Sequence, residues 1–202
     1  MASPDRIIVG ISGASGVILG VRLLEALANT EVESHLVMTK TAEVTLAYET
    51  DMKVVTVHKL ADVVHPAGDM GAAISSGSFR TVGMIVAPCS VKSLSEIATG
   101  VTSTLLTRAA DVVLKERRRL VLGLRETPIH TGHLRSMVAV SEMGAIVAPP
   151  VPAFYARPDS VDDLVNQTVG RWLDLFQIEN PLVRRWDSLR QNRKGGKGTV
   201  TI

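Results

Sequence analysis

The amino-acid sequence predicts a three-layer α/β fold of the Rossmann-like (flavodoxin-like) type, with a mainly parallel sheet. Along the 202 residues, short apolar runs of strand length alternate with longer segments that have helical spacing. Strands that are apolar on both faces are typical of parallel sheets with helices on either side. The composition, 46% hydrophobic and 21% charged, provides enough apolar residues for the core of one domain.

Five apolar runs predict the strands. The first ends in a loop of glycines and serines, and the last ends in three prolines between residues 149 and 152. Both residue classes are typical of strand ends. The predicted strands are Ile7–Ile11, Glu33–Met38, Gly83–Ala87, Leu120–Leu124 and Ala145–Ala148.

Six segments with helical spacing predict the helices. The last of them follows Asp159 and Ser160, either of which is a favourable N-cap. Residues 68–78 are rich in Gly, Ala and Ser and predict a long loop. The predicted helices are Val17–Leu27, Thr41–Thr50, Val91–Thr99, Leu105–Arg117, His130–Met143 and Val161–Phe176.

The charge distribution separates a single α/β domain, residues 1–186, from a basic, glycine-containing tail, residues 187–202. The net charge is +2, but six basic residues and one acid lie from Arg184 onward, so the rest of the chain is slightly acidic. The tail has Gly195-Gly196 and no aromatic residue, which favours a solvated segment over a nucleic-acid contact.

Cellular location is predicted from what the chain contains. No apolar run reaches the roughly 18–20 residues of a membrane span, and no cationic-then-apolar signal sequence opens the chain. Cys89 is the only cysteine, so no intrachain disulfide can form. We therefore expect a cytoplasmic protein without a membrane partner.

The loop Gly10-Ile11-Ser12-Gly13-Ala14-Ser15-Gly16 is the strongest functional signal. Glycines allow close backbone approach, serines add donors, and a following helix N-terminus favours an anion, so the loop predicts a phosphate site. Its spacing is neither the G-x-G-x-x-G of dinucleotide folds nor a Walker loop. The strand Glu33–Met38 ends in Thr39-Lys40 without an acid for a ribose. A mononucleotide such as FMN therefore fits better than NAD or ATP.

Other polar residues also follow predicted strands. Because ligands of such folds bind at the carboxyl ends of the strands, these residues are expected to form one composite site. They are Gly13–Gly16, Thr39, Pro88–Ser93, Arg125–Glu126 and Pro150–Tyr155.

Taken singly, the remaining candidates have ordinary structural interpretations. Lys115 begins a charge run typical of a solvated helix end, Arg171 is on an amphipathic helix, and Cys89 suits a buried thiol. His130 and His133 have metal-ligand spacing, but no third ligand accompanies them, so we predict no metal. The residues alone predict a phosphate site with surplus cationic groups and no complete catalytic apparatus.

Several motifs together resemble the UbiX-type flavin prenyltransferases over roughly residues 6–186. The segment Ile129–Arg135 most resembles the branch of phenolic-acid decarboxylase subunits. The shared motifs are Gly13-Ala14-Ser15-Gly16, Ser75-Ser76-Gly77-Ser78-Phe79, Ala87-Pro88-Cys89-Ser90, Arg108-Ala109-Ala110-Asp111-Val112, Lys115-Glu116-Arg117-Arg118, Arg125-Glu126-Thr127-Pro128 and Pro152-Ala153-Phe154-Tyr155.

The resemblance implies a reaction and its partners. A dimethylallyl group would pass from dimethylallyl monophosphate to reduced FMN, and a UbiD-type decarboxylase would receive the prenylated FMN. The protein would be a trimer-based homo-oligomer, up to a dodecamer. Since the reduced flavin is itself the nucleophile, no nucleophilic side chain and no metal are required.

The resemblance also implies roles for individual residues, and Ser15, Glu49 and Glu126 would move protons. The flavin-binding positions are Gly13, Ala14, Ser15, Thr39, Ser90, Val91, Lys92, Ser93, Arg108 and Arg125. The positions for the allyl phosphate are Lys115, Arg125, Tyr155 and Arg171, with Trp186 closing the site. The catalytic positions are Ser15, Glu49, Lys115, Arg125, Glu126, Tyr155 and Arg171.

Two other functions fit the same fold. An FMN-dependent decarboxylase of cysteine or of an aromatic acid is one; the cysteine enzymes need a histidine base, which His65 could supply, and an Asn-rich segment. The segment Ser90–Ser93 has no Asn, and such an enzyme does not need Lys115 and Arg171. A non-catalytic flavin carrier is the other, and it would keep the glycine loop without requiring Glu49 or Glu126.

Overall fold

A computed structural model describes residues 5–186. The predicted tail, residues 187–202, lies outside the described residues. Within them, six strands form one sheet in the order β3-β2-β1-β4-β5-β6, and every neighbouring pair is parallel. The predicted α/β fold is confirmed. The strands are β1 (Arg6–Ile11), β2 (Glu33–Met38), β3 (Val63–Pro66), β4 (Gly83–Cys89), β5 (Arg119–Leu124) and β6 (Ile146–Val147).

Seven α-helices accompany the sheet in the described part of the chain. Ser160, rather than Asp159, caps the last helix, in a capping box with Asp163. The helices are α1 (Ile18–Leu27), α2 (Lys40–Glu49), α3 (Val54–His58), α4 (Val91–Thr99), α5 (Leu105–Lys115), α6 (Thr131–Glu142) and α7 (Val161–Asp174).

Two elements were not predicted, the strand β3 and the short helix α3. β3 has four residues, includes a histidine and a proline, and lies at the edge of the sheet, so it has no long apolar run. The expected loop 68–78 includes a single 3₁₀ turn at Ala73–Ser75. These differences lie at one edge of the sheet and do not alter its order.

The helices divide between the two faces of the sheet, and the last helix joins the first three. Residues of α1, α2, α3 and α7 share one hydrophobic core, and residues of α4, α5 and α6 share the other. The strand order reverses between β1 and β4, which are adjacent in the sheet. In doubly wound folds a crevice opens at the carboxyl ends of the strands at this position.

Gly20 allows α1 to pack closely on the sheet at this position. A Cβ atom at Gly20 would lie 2.3 Å from the carbonyl oxygen of Ala87 on β4 and 2.8 Å from Ile11 on β1. Only glycine fits between the helix and these two strands. The N-terminal turn of α1 is thereby held beside the ends of β1 and β4.

Candidate active site

A cleft of about 390 Å³ lies at the carboxyl ends of β1, β4 and β5. It combines backbone from the glycine loop, the first turn of α4 and the charged pair after β5. Three of the five strand-end segments expected to converge contribute to it, while Thr39 and residues 150–155 are not among those that line the cleft. The lining residues are Gly13, Ala14, Ser15, Thr41, Ser90, Val91, Lys92, Arg125 and Glu126.

Ser12 joins β1 to β4, two of the three strands that border the cleft. Its side chain is buried; its Oγ donates to the carbonyl of Pro88 at 2.8 Å and accepts from the backbone N–H of Ser90 at 2.7 Å. Its own N–H donates to the same Pro88 carbonyl at 3.2 Å. The glycine loop and the start of α4 are therefore fixed relative to each other by one hydroxyl.

The glycine loop packs directly on α2. A Cβ atom at Gly13 would lie 2.3 Å from Cγ2 of Thr41, so the close approach requires glycine. The backbone N–H groups of Gly13 and Ser15 have no acceptor among the described residues, and the Ser15 side chain is exposed. These groups are available to an anion in the cleft.

The N-terminus of α1 holds a carboxylate of the protein itself. Glu49, the last residue of α2, accepts from the N–H of Gly16 at 2.8 Å and from the N–H of Val17 at 3.1 Å. The sequence favours an external anion at this helix end, and the structure places Glu49 there instead. The donors that remain available to a bound phosphate are the loop N–H groups and the N-terminus of α4. Glu49 lies beside Ser15 through its bond to Gly16.

The N-terminus of α4 opens into the same cleft. Ser90 is its N-cap and accepts from the N–H of Ser93, which is itself buried. Val91 and Lys92 follow at the cleft wall, and the Lys92 ammonium pairs with Glu96 one turn on. The four predicted positions 90–93 thus form the first turn of one helix. Its N–H groups and dipole favour an anion.

Arg125 and Glu126 form the third side of the cleft. The N–H of Arg125 donates to the carbonyl of Cys89 at 3.0 Å, which aligns the end of β5 with the end of β4. The Arg125 side chain is exposed, and no acceptor among the described residues takes its guanidinium protons. Glu126 accepts from the N–H of Thr127. A free cation and a carboxylate therefore face the glycine loop.

Three predicted flavin-binding residues do not line the cleft: Ser93, which is buried in the first turn of α4, Thr39 and Arg108. Thr39 is the N-cap of α2 and accepts from the N–H of Ala42 at 3.2 Å, while the cleft wall is formed by Thr41. Arg108 is on α5 and pairs with Asp111 at 2.7 Å. Flavin binding by these residues stays a prediction.

Lys115 lies near the amino end of β5, whereas the cleft lies at the carboxyl ends of the strands. It ends α5, four residues before the start of β5, and its Nζ contacts Glu116. A Cβ atom at Gly77 would lie 2.8 Å from that Nζ, so the Ser75–Phe79 motif packs on the lysine. Arg118 donates to the carbonyls of Gly77 and Phe79, both at 2.7 Å. The hydrogen bond from Lys115 and its charge hold the pKa of Glu116 below its usual range.

The separation of Lys115 from Arg125 follows from the strand between them. β5 has six residues, each of which advances about 3.3 Å, so its two ends lie roughly 20 Å apart. Lys115 precedes one end and Arg125 follows the other. One chain therefore cannot place both cations on the same phosphate.

Tyr155, Arg171 and Trp186 form a third group, along α7. The phenol oxygen of Tyr155 accepts from Gln167 at 3.1 Å, and its ring meets Trp186 edge-on at 5.6 Å. Arg171, one turn beyond Gln167 on the same face of α7, donates to Asp174 at 2.8 Å. Tyr155, through its contact with Gln167, and Arg171 thus lie about one turn apart along α7.

Asp174 is shared between two arginines. Both of its oxygens accept from Arg185 at 3.0 Å, and one also accepts from Arg171. The hydrogen bond from Arg185 is the largest of several effects that hold the pKa of Asp174 below its usual range. Since Arg185 neutralises the carboxylate, the half-exposed Arg171 keeps positive charge for an external anion.

The remaining candidates have structural positions. Burial raises the pKa of Cys89 to about 12, so its thiol is not a nucleophile at neutral pH. The rings of His130 and His133 stack at 3.6 Å, and His130 caps α6 through Gly132. Among residues 5–186, no group of three or more His, Cys, Asp or Glu side chains could hold a metal ion. No helix in that range is long and apolar enough to cross a membrane.

Comparison with known proteins identifies the family. The Flavoprotein family model matches residues 1–173. Flavin prenyltransferase UbiX of Escherichia coli K12 is 60% identical over 184 residues, which cover 90% of this chain and 97% of that protein. The chain belongs to the UbiX flavin prenyltransferase family.

Solved structures of UbiX proteins share the fold. AnUbiX (PadA1), crystallised with FMN and dimethylallyl pyrophosphate, is 52% identical with a TM-score of 0.91 and covers 92% of this chain and 99% of its own. A dodecameric FMN-dependent UbiX-like decarboxylase from E. coli O157:H7 is 52% identical with a TM-score of 0.89, covering 91% and 100%. The family resemblance predicted from the motifs is confirmed.

Sequence reasoning missed several residues that organise the UbiX site. Ser12 was predicted only as part of the glycine loop. Its burial depends on the packing of β1 against β4, which the sequence does not show. Gln167 gave no signal because polar residues on an amphipathic helix are usually exposed. The Gly77 packing on Lys115 could have been suspected, since both belong to shared motifs.

Proposed function

We propose that this protein is a flavin prenyltransferase, which transfers a dimethylallyl group from dimethylallyl monophosphate to reduced FMN. The main support is the 60% identity to a UbiX enzyme over nearly the whole of both chains. The cleft adds a chemical reason, because it combines phosphate donors from the backbone with a free cation and the Glu126 carboxylate, while Glu49 is bound to the end of the glycine loop.

The cleft suits a flavin mononucleotide. Its volume of about 390 Å³ is within the usual range for small-ligand sites, about 300–1,000 Å³. The unpaired N–H groups of Gly13 and Ser15 and the N-terminus of α4 would hold the phosphate, with Ser90 and Lys92 beside it. The reduced flavin supplies the electron-rich nucleophile.

The protein's own side chains would act on the leaving group. Breaking the allylic C–O bond of the donor leaves its electron pair on the phosphate, which becomes more negative as the allyl group becomes cationic. Arginine and lysine side chains and a phenol O–H stabilise that charge when they are already in place. Arg125, Lys115, Arg171 and Tyr155 are the proposed group.

Ser15, Glu49 and Glu126 are proposed to move protons. The Glu49 carboxylate is held by the N–H groups of Gly16 and Val17, the two residues that follow Ser15 in the chain. Glu126 is across the cleft, beside Arg125. A proton released at the flavin can pass to a carboxylate or to the departing phosphate, which is itself a base.

We further propose a homo-oligomer in which Lys115 and Arg125 of different copies meet. Two observations support it: the roughly 20 Å separation of these residues within a chain, and the dodecameric state of a 52% identical relative. The site is then incomplete in a single chain.

Complementation tests this arrangement. Lys115→Ala and Arg125→Ala should each be inactive alone, while co-expressed mixed assemblies should regain about a quarter of wild-type activity, because random mixing gives intact pairs at that frequency. No recovery in purified mixed assemblies would show that both residues serve one site within the same chain.

The reaction itself has a direct test. The protein is incubated without oxygen with reduced FMN and dimethylallyl monophosphate, and the flavin is weighed by mass spectrometry. A mass increase of one dimethylallyl group supports the proposal, and an unchanged, fully bound flavin refutes it. A parallel arm with dimethylallyl pyrophosphate identifies the preferred donor. Arg171→Ala should abolish turnover while FMN still binds.

An FMN-dependent decarboxylase is the second candidate, favoured by the name of one 52% identical relative. It predicts carbon dioxide release from an acid without a prenyl donor. For the prenyltransferase, we propose that a UbiD-type decarboxylase receives the product flavin. We also propose that both proteins are cytoplasmic. Transfer of activity to an apo-decarboxylase by the purified product tests the partner.

A further inference from the structure

Gln167 is a buried amide whose orientation is fixed by the backbone. Only 4% of its surface is exposed. Its Oε1 accepts from the N–H of Arg184 at 2.8 Å, and its Nε2 donates to the carbonyl of Arg184 at 3.3 Å. Because a backbone N–H can only donate and a carbonyl can only accept, the amide cannot be reversed.

The fixed amide determines how Tyr155 uses its hydroxyl. Nε2 of Gln167 also donates to the phenol oxygen of Tyr155 at 3.1 Å, so that oxygen is an acceptor in this bond. The phenol proton is then free, and no acceptor for it is present among residues 5–186. Tyr155 is 45% exposed, so its O–H can donate to a ligand from the open side.

The same amide holds the segment that carries Trp186. Arg184 is fixed at both backbone atoms by Gln167, and its guanidinium donates to the carbonyls of Ala156 and Arg157 at 3.0 and 3.3 Å. Trp186 follows two residues later and contacts the Tyr155 ring. One side chain therefore connects α7, the turn around Tyr155 and the segment of Trp186.

We propose that Gln167 is a positioning residue that directs the Tyr155 hydroxyl toward the donor's phosphate and ties the Trp186 segment to the same ring. The proposal rests on the proposed function, in which Tyr155 holds the allyl phosphate. Gln167 does not touch the donor; it acts through the phenol and through Arg184.

Two substitutions at Gln167 separate orientation from packing. Gln167→Leu removes both hydrogen-bonding functions at similar volume. Gln167→Glu keeps the acceptor for the Arg184 N–H but presents an acceptor to Tyr155, which draws the phenol proton inward. Both variants should weaken binding of dimethylallyl monophosphate roughly ten-fold or more, since a hydrogen bond to a charged group is lost. The dissociation constant of FMN should stay within about two-fold.

Asn180→Ala is the matched control. Asn180 anchors the same segment, donating to the Gly170 carbonyl at 3.3 Å and accepting from the N–H of Leu182 at 3.2 Å, but it has no bond to Tyr155. It should loosen the segment without altering the phenol. The donor's dissociation constant should therefore change much less than in Gln167→Leu.

The experiment measures donor binding to protein loaded with oxidised FMN, together with acrylamide quenching of tryptophan fluorescence. Trp172 is buried and Trp186 is 56% exposed, so quenching reports mainly on Trp186. Gln167→Leu should increase quenching and weaken donor binding, and it should have no further effect on donor binding in a Tyr155→Phe background.

Three outcomes overturn the inference: donor binding unchanged in Gln167→Leu, an equal loss in Asn180→Ala, or an additive loss in the Tyr155→Phe background. Failure of the proposed function is seen separately, as absence of prenylated FMN from the wild-type protein. The inference is also overturned if the donor does not bind to the wild-type protein. If the donor binds and the effects of Gln167→Leu and Tyr155→Phe on binding are not additive, but no prenylated FMN forms, the inference is supported and only the proposed reaction is refuted.

Discussion

Replacing Ser12 by alanine tests whether one buried hydroxyl holds the two walls of the cleft. In the native protein the Ser12 Oγ donates to the Pro88 carbonyl and accepts from the Ser90 N–H. Pro88 keeps a second bond, from the Ser12 N–H, but Ser90 loses its only acceptor among the described residues. The variant thus leaves one partly buried donor unpaired at the N-terminus of α4.

The expected loss can be estimated from that unpaired donor. A buried donor without an acceptor costs about 1–3 kcal/mol, so we expect about 2 kcal/mol in the free energy of unfolding. For a chain of this size, this corresponds to a Tm about 4–8 °C lower. Because Ser90 begins the turn proposed to hold the flavin phosphate, the dissociation constant of FMN should rise several-fold.

Urea unfolding, thermal melting and FMN fluorescence titration measure these effects, and Ser15→Ala is the control. Ser15 is in the same loop but is exposed. Its loss should leave stability within about 0.5 kcal/mol of wild type while prenylation falls. Wild-type stability and FMN affinity in Ser12→Ala would refute the idea that Ser12 holds the cleft together.

Three further predictions concern single groups. Glu49→Gln should cost about 0.5–1 kcal/mol and Glu49→Ala about 1–2 kcal/mol in urea unfolding, since only glutamine keeps an acceptor for the N-terminus of α1; equal losses would contradict this. Cys89, with its pKa raised to about 12 by burial, should resist a thiol reagent at about pH 8 until the protein unfolds; rapid labelling of native protein would contradict its burial. Burial and the neighbouring His35 lower the pKa of His65 below 6.5, so the unfolded chain binds more protons; stability should be full above that pH and fall as the solution is acidified. His65→Gln should reduce this pH dependence between about pH 7.5 and 5.5, and an unchanged slope would exclude His65 as its source.

Local pattern was sufficient for most of the fold. The buried strands are continuous apolar runs and the helices have amphipathic spacing, so their positions were predicted to within a few residues. β3 was missed because a four-residue edge strand with a histidine and a proline has little local signal. Its position depends on pairing with β2, which is a tertiary contact.

The cleft was predictable for a geometric reason. Parallel strands present their carboxyl ends at one edge, so polar residues after β1, β4 and β5 had to lie close together. The same reasoning could have separated Lys115 from Arg125, because one precedes β5 and the other follows it. The family motifs assigned both residues to the same phosphate. In an oligomer, Lys115 of one copy and Arg125 of another can bind the same phosphate although they are far apart within a chain.

By itself, the sequence determined the alternation of strands and helices, the glycine loop at the end of β1 and the family. Only the tertiary structure decided that Glu49 fills the N-terminus of α1, that Ser12 joins β1 to β4, and that Gln167 fixes Tyr155. Each of these depends on hydrogen bonds between residues 12 to 78 positions apart in the chain. Local spacing determines which face of an element is apolar, but the partner of a single polar atom is determined by how the elements pack.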